Sequence, residues 1–356
     1  MTNTETVNEL EEFKKYQKAS RAFVKNSKIR GDDFSSVLTG LYNNPSHFIY
    51  EILQNAEDAG AKEIGFELFE DRLDIYHNGK DFNLEDIKGV TRIGNSKKRY
   101  DLTVIGKFGV GFKSVFAITE TPHIFSGKYN VKIEDLFVPL EISCNDQIDG
   151  TLIRLTFNHR VHSKKEVFTL IANRLLNIDL KTMLFLNNIE NIKFRTPLSN
   201  GNYSKSSEDL PINVNTRKVI IKSQDAIEEY IVVDKPIFIE GKQLKVEIAY
   251  KLENDKKGKK SIVEESNSKL VVFFPTEKIT FLNFIIQGPY RTTVTREDIP
   301  LENEQNMLII EETGNLVSES LAVVKDLGYL DVNFLNILSI KGVMQPNKSI
   351  GLYIKK

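Results

Sequence analysis

A chain of 356 residues, 40% hydrophobic and 27% charged, is large enough for two ordinary globular domains. Its net charge of −1 sets up no global field toward nucleic acid or anionic lipid, and its single cysteine, Cys144, cannot form an internal disulfide, which fits a reducing cytoplasm. The polar stretch "MTNTETVNELEEFKKYQ" lacks the apolar centre of a secretory signal, and no apolar run reaches bilayer-spanning length, so no membrane partner is expected.

Residues 5–29 read as a charged helix with sparse apolar positions at Val7, Leu10, Phe13, Phe23 and Val24. Its basic residues Lys14, Lys15, Lys18, Arg21 and Lys25 interleave with acids, as on a solvated surface helix. A second helix follows the start signal Pro45-Ser46, carries Ile49, Ile52, Leu53, Ala56 and Ala59 at helical spacing, and stops at Gly60. "KEIGFELF" and "RLDIYHN" read as two strands around a turn at Asp71, and "NLEDIKGVTRIGNS" as a short helix and loop. "IGKFGVGFKSVFAIT" reads as a glycine-rich loop entering a helix, with strands expected at 122–127, 129–139 and 151–157. The polar run at 196–215 marks a domain boundary. Strands follow at 217–223, 228–234, 243–251 and 269–275, a polar hairpin loop at 254–268, and a helix over 302–327. This mixed order predicts an α+β fold with helices on one face of a sheet.

Four features carry candidate chemistry. Glu51, Asn55 and Asp58 fall at i, i+4 and i+7 and share one helix face, which is either a solvated surface or one wall of a cleft. Gly106, Gly109 and Gly111 precede an apolar helix, where backbone N–H groups and the helix N-terminus favour an anion, with Lys107 and Lys113 nearby. The spacing is not that of a P-loop, and taken alone it also suits a surface loop. Asn78-Gly79 makes a tight turn after a strand. Gly150-Thr151 opens a strand and offers a hydroxyl.

In their order, "HFIYEILQNAEDAGA", "YHNGKDF", "IGNSKK", "GKFGVGFKSVF", "TPHIFSG" and "DGTLIRLTF" resemble the GHKL ATPases — gyrase B, MutL, histidine kinases and ninety-kilodalton chaperones — and most of all a sacsin-type branch, over roughly residues 35–160. The resemblance implies a two-layer α/β sandwich, the Bergerat-type ATP-binding fold, followed by a smaller α/β transducer-like domain. It implies a helical extension at 1–34, the ATP-binding domain at 35–200, a middle domain at 201–330 and a tail at 331–356. On matching positions, Glu51 resembles the general base that polarises the attacking water, and Asn55 the residue that completes Mg²⁺ coordination. Asp58, His77, Gly79, Ser96, Lys97 and Thr151 resemble nucleotide contacts, and Gly106, Lys107, Phe108, Gly109, Val110 and Gly111 the phosphate-wrapping lid.

His77 departs from the pattern, since gyrase and the chaperones have an aspartate there that accepts from the adenine amino group. A neutral imidazole has one acceptor nitrogen and can hold adenine only in the right tautomer; the alternative is a structural histidine ending a strand. In "LVVFFPTEKITFLNFIIQGPYRTTVTREDIP", Arg296, with Arg291 second, resembles the basic residue sent to the γ-phosphate, or else pairs with Glu297 or Asp298. The expected function is a cytoplasmic, Mg²⁺-dependent, ATP-hydrolysing conformational switch of the sacsin and heat-shock-chaperone type. Its expected partners are ATP, a second copy upon nucleotide binding, and a protein client or effector. The alternatives are a non-hydrolysing nucleotide-binding scaffold and a MutL- or MORC-like nucleic-acid clamp, disfavoured by the balanced charge.

Overall fold

The computed structural model describes residues 3–32, 34, 48–92, 111–144, 148–212, 214–255, 258–292 and 298–338. The chain divides into two units, Met1–Ile178 with Asn187–Asn202, and Asp179–Leu186 with Tyr203–Lys356. Among the described residues no helix is long and apolar enough to cross a membrane.

Unit 1 opens with α1 (Asn3–Arg30) and α2 (Phe48–Asp58). α2 buries Phe48, Ile49, Ile52, Leu53 and Ala56 completely, about 1.5–3 kcal/mol for each large side chain. It ends in a Schellman motif: Ala61 N–H donates to Ala56 O at 2.9 Å and Gly60 N–H to Glu57 O at 2.9 Å. Gly60 takes φ +73°, which its missing side chain permits. β1 (Glu63–Leu68) and β2 (Arg72–His77) form a hairpin. α3 (Leu84–Thr91) starts with a capping box in which Asn83 and Asp86 exchange side-chain and backbone bonds. The 3₁₀ helix η1 (Phe112–Ala117), strands β3 (His123–Ser126), β4 (Tyr129–Glu134), β5 (Val138–Glu141) and β6 (Thr151–Thr156), α4 (Lys164–Leu176) and β7 (Asn191–Arg195) complete it.

The strand order in this unit is β7-β1-β2-β6-β3-β4-β5, with β1–β7 parallel and the other pairs antiparallel. Alternation gives the sheet one apolar face. Ile64, Phe66, Leu73, Ile75, Ile124, Ile153 and Leu155 are buried on it. The opposite face is polar: Arg154 grips buried Asp74 through Nε and Nη2 at 2.9 and 2.8 Å, and Lys193 pairs with Glu63. A half-solvated antiparallel sheet produces this pattern.

Unit 2 contains η2 (Leu180–Met183) and the body of β8 (Asn200–Asp209). β9 (Thr216–Lys222), β10 (Ile227–Ile239), β11 (Lys242–Asn254), β12 (Lys260–Val263), β13 (Lys269–Val272), β14 (Phe274–Ile279) and β15 (Ile285–Gln287) follow, then α5 (Glu304–Asp326) and α6 (Val332–Ile337). Its order is β14-β13-β15-β11-β10-β9-β8, with β12 on β11. Tyr250 anchors the core between the rings of Phe284 and Phe334, at 5.4 and 5.3 Å, and bonds Ser320 Oγ on α5 at 2.8 Å.

The expected two-layer α/β sandwich of Bergerat type with a smaller transducer-like domain is corrected by this architecture. Among the described residues the strands are ordered as one large mixed sheet of fifteen, accompanied by few helices. The expectation failed on polar strands. β8 runs "NGNYSKSSED", a stretch that reads as a linker, and β10 and β11 reach thirteen residues each. Ladder bonds come from the backbone, so a polar segment can extend a sheet wherever a face is solvated.

Candidate functional site

α2 is the rail of the site. Glu51 and Asn55 are half-buried on it and Asp58 is exposed. At the Glu51 end the chain re-enters at Gly111, directly ahead of η1, and a Cβ on Gly111 would collide with Glu51 Oε2. Gly111 has ordinary helical torsions (φ −54°), so backbone conformation does not require glycine, and a larger residue would have to displace the end of the Glu51 side chain. The structure therefore joins the acid of the second helix to the last glycine of the "GKFGVG" run.

α2 is fixed from below by a residue that the sequence reading passed over. Glu57 is 3% exposed, and its carboxylate accepts from the backbone N–H groups of Asn187, Asn188 and Ile189 at 2.6, 2.8 and 2.9 Å. The available signal was its phase: Glu57 lies four residues after Leu53, on the apolar side of the helix.

The other end is built by the turn after β2. Asn78 Oδ1 accepts from Lys62 and Glu63 N–H, both at 2.9 Å, and Lys80 N–H donates to Ala59 O at 2.8 Å. Gly79 is pressed onto the end of α2, where an added Cβ would lie 2.9 Å from Ala59 Cβ and 3.0 Å from Ala59 O. His77 ends β2 in register with Ile64 on one side and Thr151 on the other. It is 5% exposed, and burial pushes its imidazole down from 6.5 to about 4, so it is neutral near pH 7. Its Nδ1 accepts from Gly79 N–H at 3.2 Å. Thr151 is in register with Ser126 on β3, and their hydroxyls are 2.5 Å apart. Ser126 Oγ also accepts from Phe82 N–H at 2.9 Å. His77, Thr151 and Ser126 thus form one buried polar row across three strands. Ser126 was visible within "TPHIFSG" only as a strand residue; its role depends on the register.

From Glu51 to Ala59 the rail spans eight residues, about 12 Å at 1.5 Å per residue. A carboxylate and an amide stand along it, with a glycine approach at one end and a donor–acceptor row at the other. That is the scale and polarity of an extended nucleotide. Other expected residues lie elsewhere. Lys113 is buried at 1% exposure, donates to Leu136 O in the β4–β5 turn and lies 5.4 and 5.1 Å from the rings of Phe116 and Phe137. Burial pulls its ammonium down to about 7. Arg291, in unit 2, donates from Nε to Gln305 Oε1 at 2.5 Å and from Nη2 to Glu240 at 2.9 Å. Ser96, Lys97, Gly106, Lys107, Phe108, Gly109, Val110 and Arg296 lie outside the described residues. Among the described residues, no group of three or more His, Cys, Asp or Glu side chains is placed to hold a metal.

Comparison with known proteins gives this stretch a relationship. Residues 73–141 match the family model described as Sacsin domain. Human sacsin is 35% identical over 113 residues, covering 27% of this chain and 2% of sacsin. Protein NO VEIN of Arabidopsis thaliana is 23% identical over 316 residues, covering 79% of this chain and 11% of that protein. A candidate type II restriction enzyme, HgiDII of Herpetosiphon aurantiacus, is 26% identical over 206 residues, covering 52% of this chain and 32% of HgiDII. The chain therefore spans no more than about a third of the length of these relatives. A crystal structure described as the N terminal domain of a DNA repair protein superposes with a TM-score of 0.47 at 12% identity, covering 82% of this chain and 100% of that one. The sacsin-like stretch, residues 73–141, takes in most of β2 with His77, the Asn78-Gly79 turn, Gly111 and Ser126.

Proposed function

We propose that unit 1 binds a purine nucleoside triphosphate with Mg²⁺ and hydrolyses it, as a GHKL-type ATPase would, with ATP as the nucleotide the sequence resemblance implies. The observation that carries this reading is the packing of Gly111 against the Glu51 carboxylate, on the same helix face as Asn55 and one rail length from the His77 row. A glycine beside the acid would let backbone N–H groups approach phosphate oxygens closely, whereas a side chain there would have to displace the Glu51 carboxylate. The donor set fits the cofactor. Mg²⁺ takes oxygen ligands, keeps waters and leans on phosphates, so one amide oxygen from Asn55 suffices on the protein side. Bound there, the metal would neutralise phosphate charge. Glu51 would orient and deprotonate the attacking water, an effect of about 10²–10⁴-fold.

On this reading the protein is a cytoplasmic conformational switch in which nucleotide closes the glycine-containing segment and pairs two copies, passing the change to a client or effector. Steady-state phosphate release with Mg²⁺ is the test. Glu51→Ala should lower kcat by about 10²-fold or more while nucleotide affinity stays within a few-fold. Binding without turnover in the wild type would instead identify a non-hydrolysing scaffold. The similarity to HgiDII favours a second reading, in which the nucleotide module serves an activity on DNA. Retention on DNA that weakens steeply with salt would select that reading.

A further inference from the structure

We infer that α1 carries a docking stripe for double-stranded DNA, a row of exposed cations that lies along the phosphate backbone and holds it without regard to sequence. The inference stands on α1 alone and does not need the nucleotide reading; it gives the DNA reading a surface.

The acids that the sequence sets among these bases stop at Glu12. α1 has Glu5, Glu9, Glu11 and Glu12 and then, from Phe13 to Arg30, seven lysines and arginines and no acid. The fold uses Glu9 and Glu12 to anchor the helix. Glu9 pairs with Lys128 and accepts from Tyr129, and Glu12 takes Lys88 Nζ at 2.5 Å. The same side is held by buried Phe13 and Val24, by Tyr16 on Thr91 at 2.7 Å and by Gln17 on Pro139 O at 2.8 Å. At about 100° per residue, Lys14, Lys18, Arg21, Lys25 and Lys28 fall within about 80° of one another, on a flank turned from the anchored side. All five are exposed. Lys28 meets Asp135 at 2.8 Å; among the described residues the other four have no ion pair. Two acids line the groove beside the stripe, Asp135 and Glu134, and Glu134 is paired with Lys132 at 2.6 Å.

The helix dipole accounts for cations in the last turn, Lys28 and Arg30, but not for four in mid-helix. Like charges at these spacings repel and weaken the helix, and a polyanion laid along them relieves that cost. The stripe is about 21 Å long at 1.5 Å per residue. It therefore faces about six phosphates of one strand, which follow one another at about 3.4 Å. Four of the five cations are lysines, point charges without the planar fork that reads guanine, so they hold phosphates and carry little base preference. No aromatic residue falls in the stripe, so it lacks the stacking platform of a single-strand binder. A lipid surface is set aside because an interfacial helix needs one continuous apolar face. α1 buries Phe13 and Val24 in its own unit, and its exposed Leu10, Phe23 and Ile29 point in three directions. The chain's net charge of −1 does not cancel the stripe, since a charge is felt mainly within a Debye length of about 8 Å.

The experiment is fluorescence anisotropy of the full chain, without nucleotide, on a labelled DNA duplex of about 20 base pairs and arbitrary sequence, across a salt series. Four to five phosphate contacts should give log K a slope of about −4 against log salt, and about a hundredfold loss of affinity between about 50 and 200 mM. Lys18→Ala combined with Lys25→Ala should flatten the slope by about 2 and weaken low-salt binding at least about tenfold. Lys164→Ala combined with Lys165→Ala removes the same charge from α4 and should leave the slope within about 0.5 of wild type. All four side chains are exposed, so neither pair of substitutions disturbs the core. An unchanged slope in the Lys18/Lys25 variant, or an equal change in the Lys164/Lys165 variant, would overturn the stripe and leave the DNA reading standing. No retention on the duplex at about 50 mM salt would overturn both, and neither result touches the nucleotide reading. Tighter binding to single-stranded DNA, or retention on vesicles containing phosphatidylserine without binding to the duplex, would overturn duplex DNA as the partner.

Discussion

The two ends of the α2 rail are built on opposite principles. At the His77 end His77, Thr151 and Ser126 are buried and tied to neighbours, His77 to Gly79, Thr151 to Ser126 and Ser126 to Phe82, while exposed Asn78 holds the N–H groups of Lys62 and Glu63. At the Glu51 end the side chains are half-exposed, and what the fold supplies is a close glycine approach. A buried, satisfied row sets shape and hydrogen-bond polarity in advance. A half-exposed acid and amide keep capacity for ligands that arrive with their own charge and water. Substitutions at the first end should therefore register as stability, and those at the second as chemistry.

The sharpest way to break the comparison is the residue beneath both ends. Glu57→Ala removes an acceptor shared by three backbone N–H groups, of which the Ile189 N–H is left buried and those of Asn187 and Asn188 part-buried. It should cost about 3–5 kcal/mol, read as a lowered urea midpoint at unchanged slope. A cost below about 1 kcal/mol would mean that α2 is held by its apolar face alone.

The pH dependence comes next. The His77 imidazole in the folded chain sits at about 4, against 6.5 when unfolded, so between these values the unfolded chain binds the extra proton. Stability from this group is complete above pH 6.5 and is lost as pH falls toward 4, a change of about 3 kcal/mol. His77→Gln should flatten the stability profile across that window. An unchanged slope would show that the ring is wet, contrary to its 5% exposure.

Which parts of this arrangement the sequence disclosed follows from where the information lies. α2 was readable because its burial repeats at helical spacing and Gly60 closes it; β1, β2, β3 and β6 were readable because one apolar face imposes alternation. The long strand expected over 129–139 is two strands, β4 and β5. Its break falls at Asp135 and Leu136 with φ +47° and +68°, a left-handed turn that no glycine announces. β8, and β12 inside the expected polar loop at 254–268, were hidden because solvated strands lack an apolar signature, and with them went the extent of the sheet. The site residues divide the same way. Glu51, Asn55 and Gly111 were chosen for residue type and spacing. The work of Glu57 and Ser126, and the spent acceptor of His77, depend on partners from 2 to 132 positions away.

Within the buried row, Ser126→Ala sharpens the comparison at moderate cost. It strips Phe82 N–H of its acceptor and leaves the Thr151 hydroxyl beside a methyl group, so a loss of about 1–2 kcal/mol is expected in a denaturant titration. Ser126→Thr keeps the oxygen and should recover part of that loss, the remainder being strain from an added methyl in a 2%-exposed position. Equal losses in both variants would assign the effect to packing instead of hydrogen bonding.

The smallest expected effect on stability belongs to Asn55, and it decides whether the two ends truly differ. Its side chain is half-buried on α2, with no hydrogen bond to another described side chain, while the backbone carbonyl carries the helix bond to Ala59 N–H at 3.0 Å. Asn55→Ala removes no buried partner and improves helix propensity, so unfolding free energy should stay within about 0.5 kcal/mol of wild type. Nucleotide binding in the presence of Mg²⁺ should nonetheless fall by at least about tenfold, and far less when the metal is withheld, because the lost oxygen serves the ion and not the fold. A variant that unfolds early would place Asn55 with the buried network and erase the contrast between the two ends. One that binds nucleotide with its metal dependence intact would take the ion away from this rail.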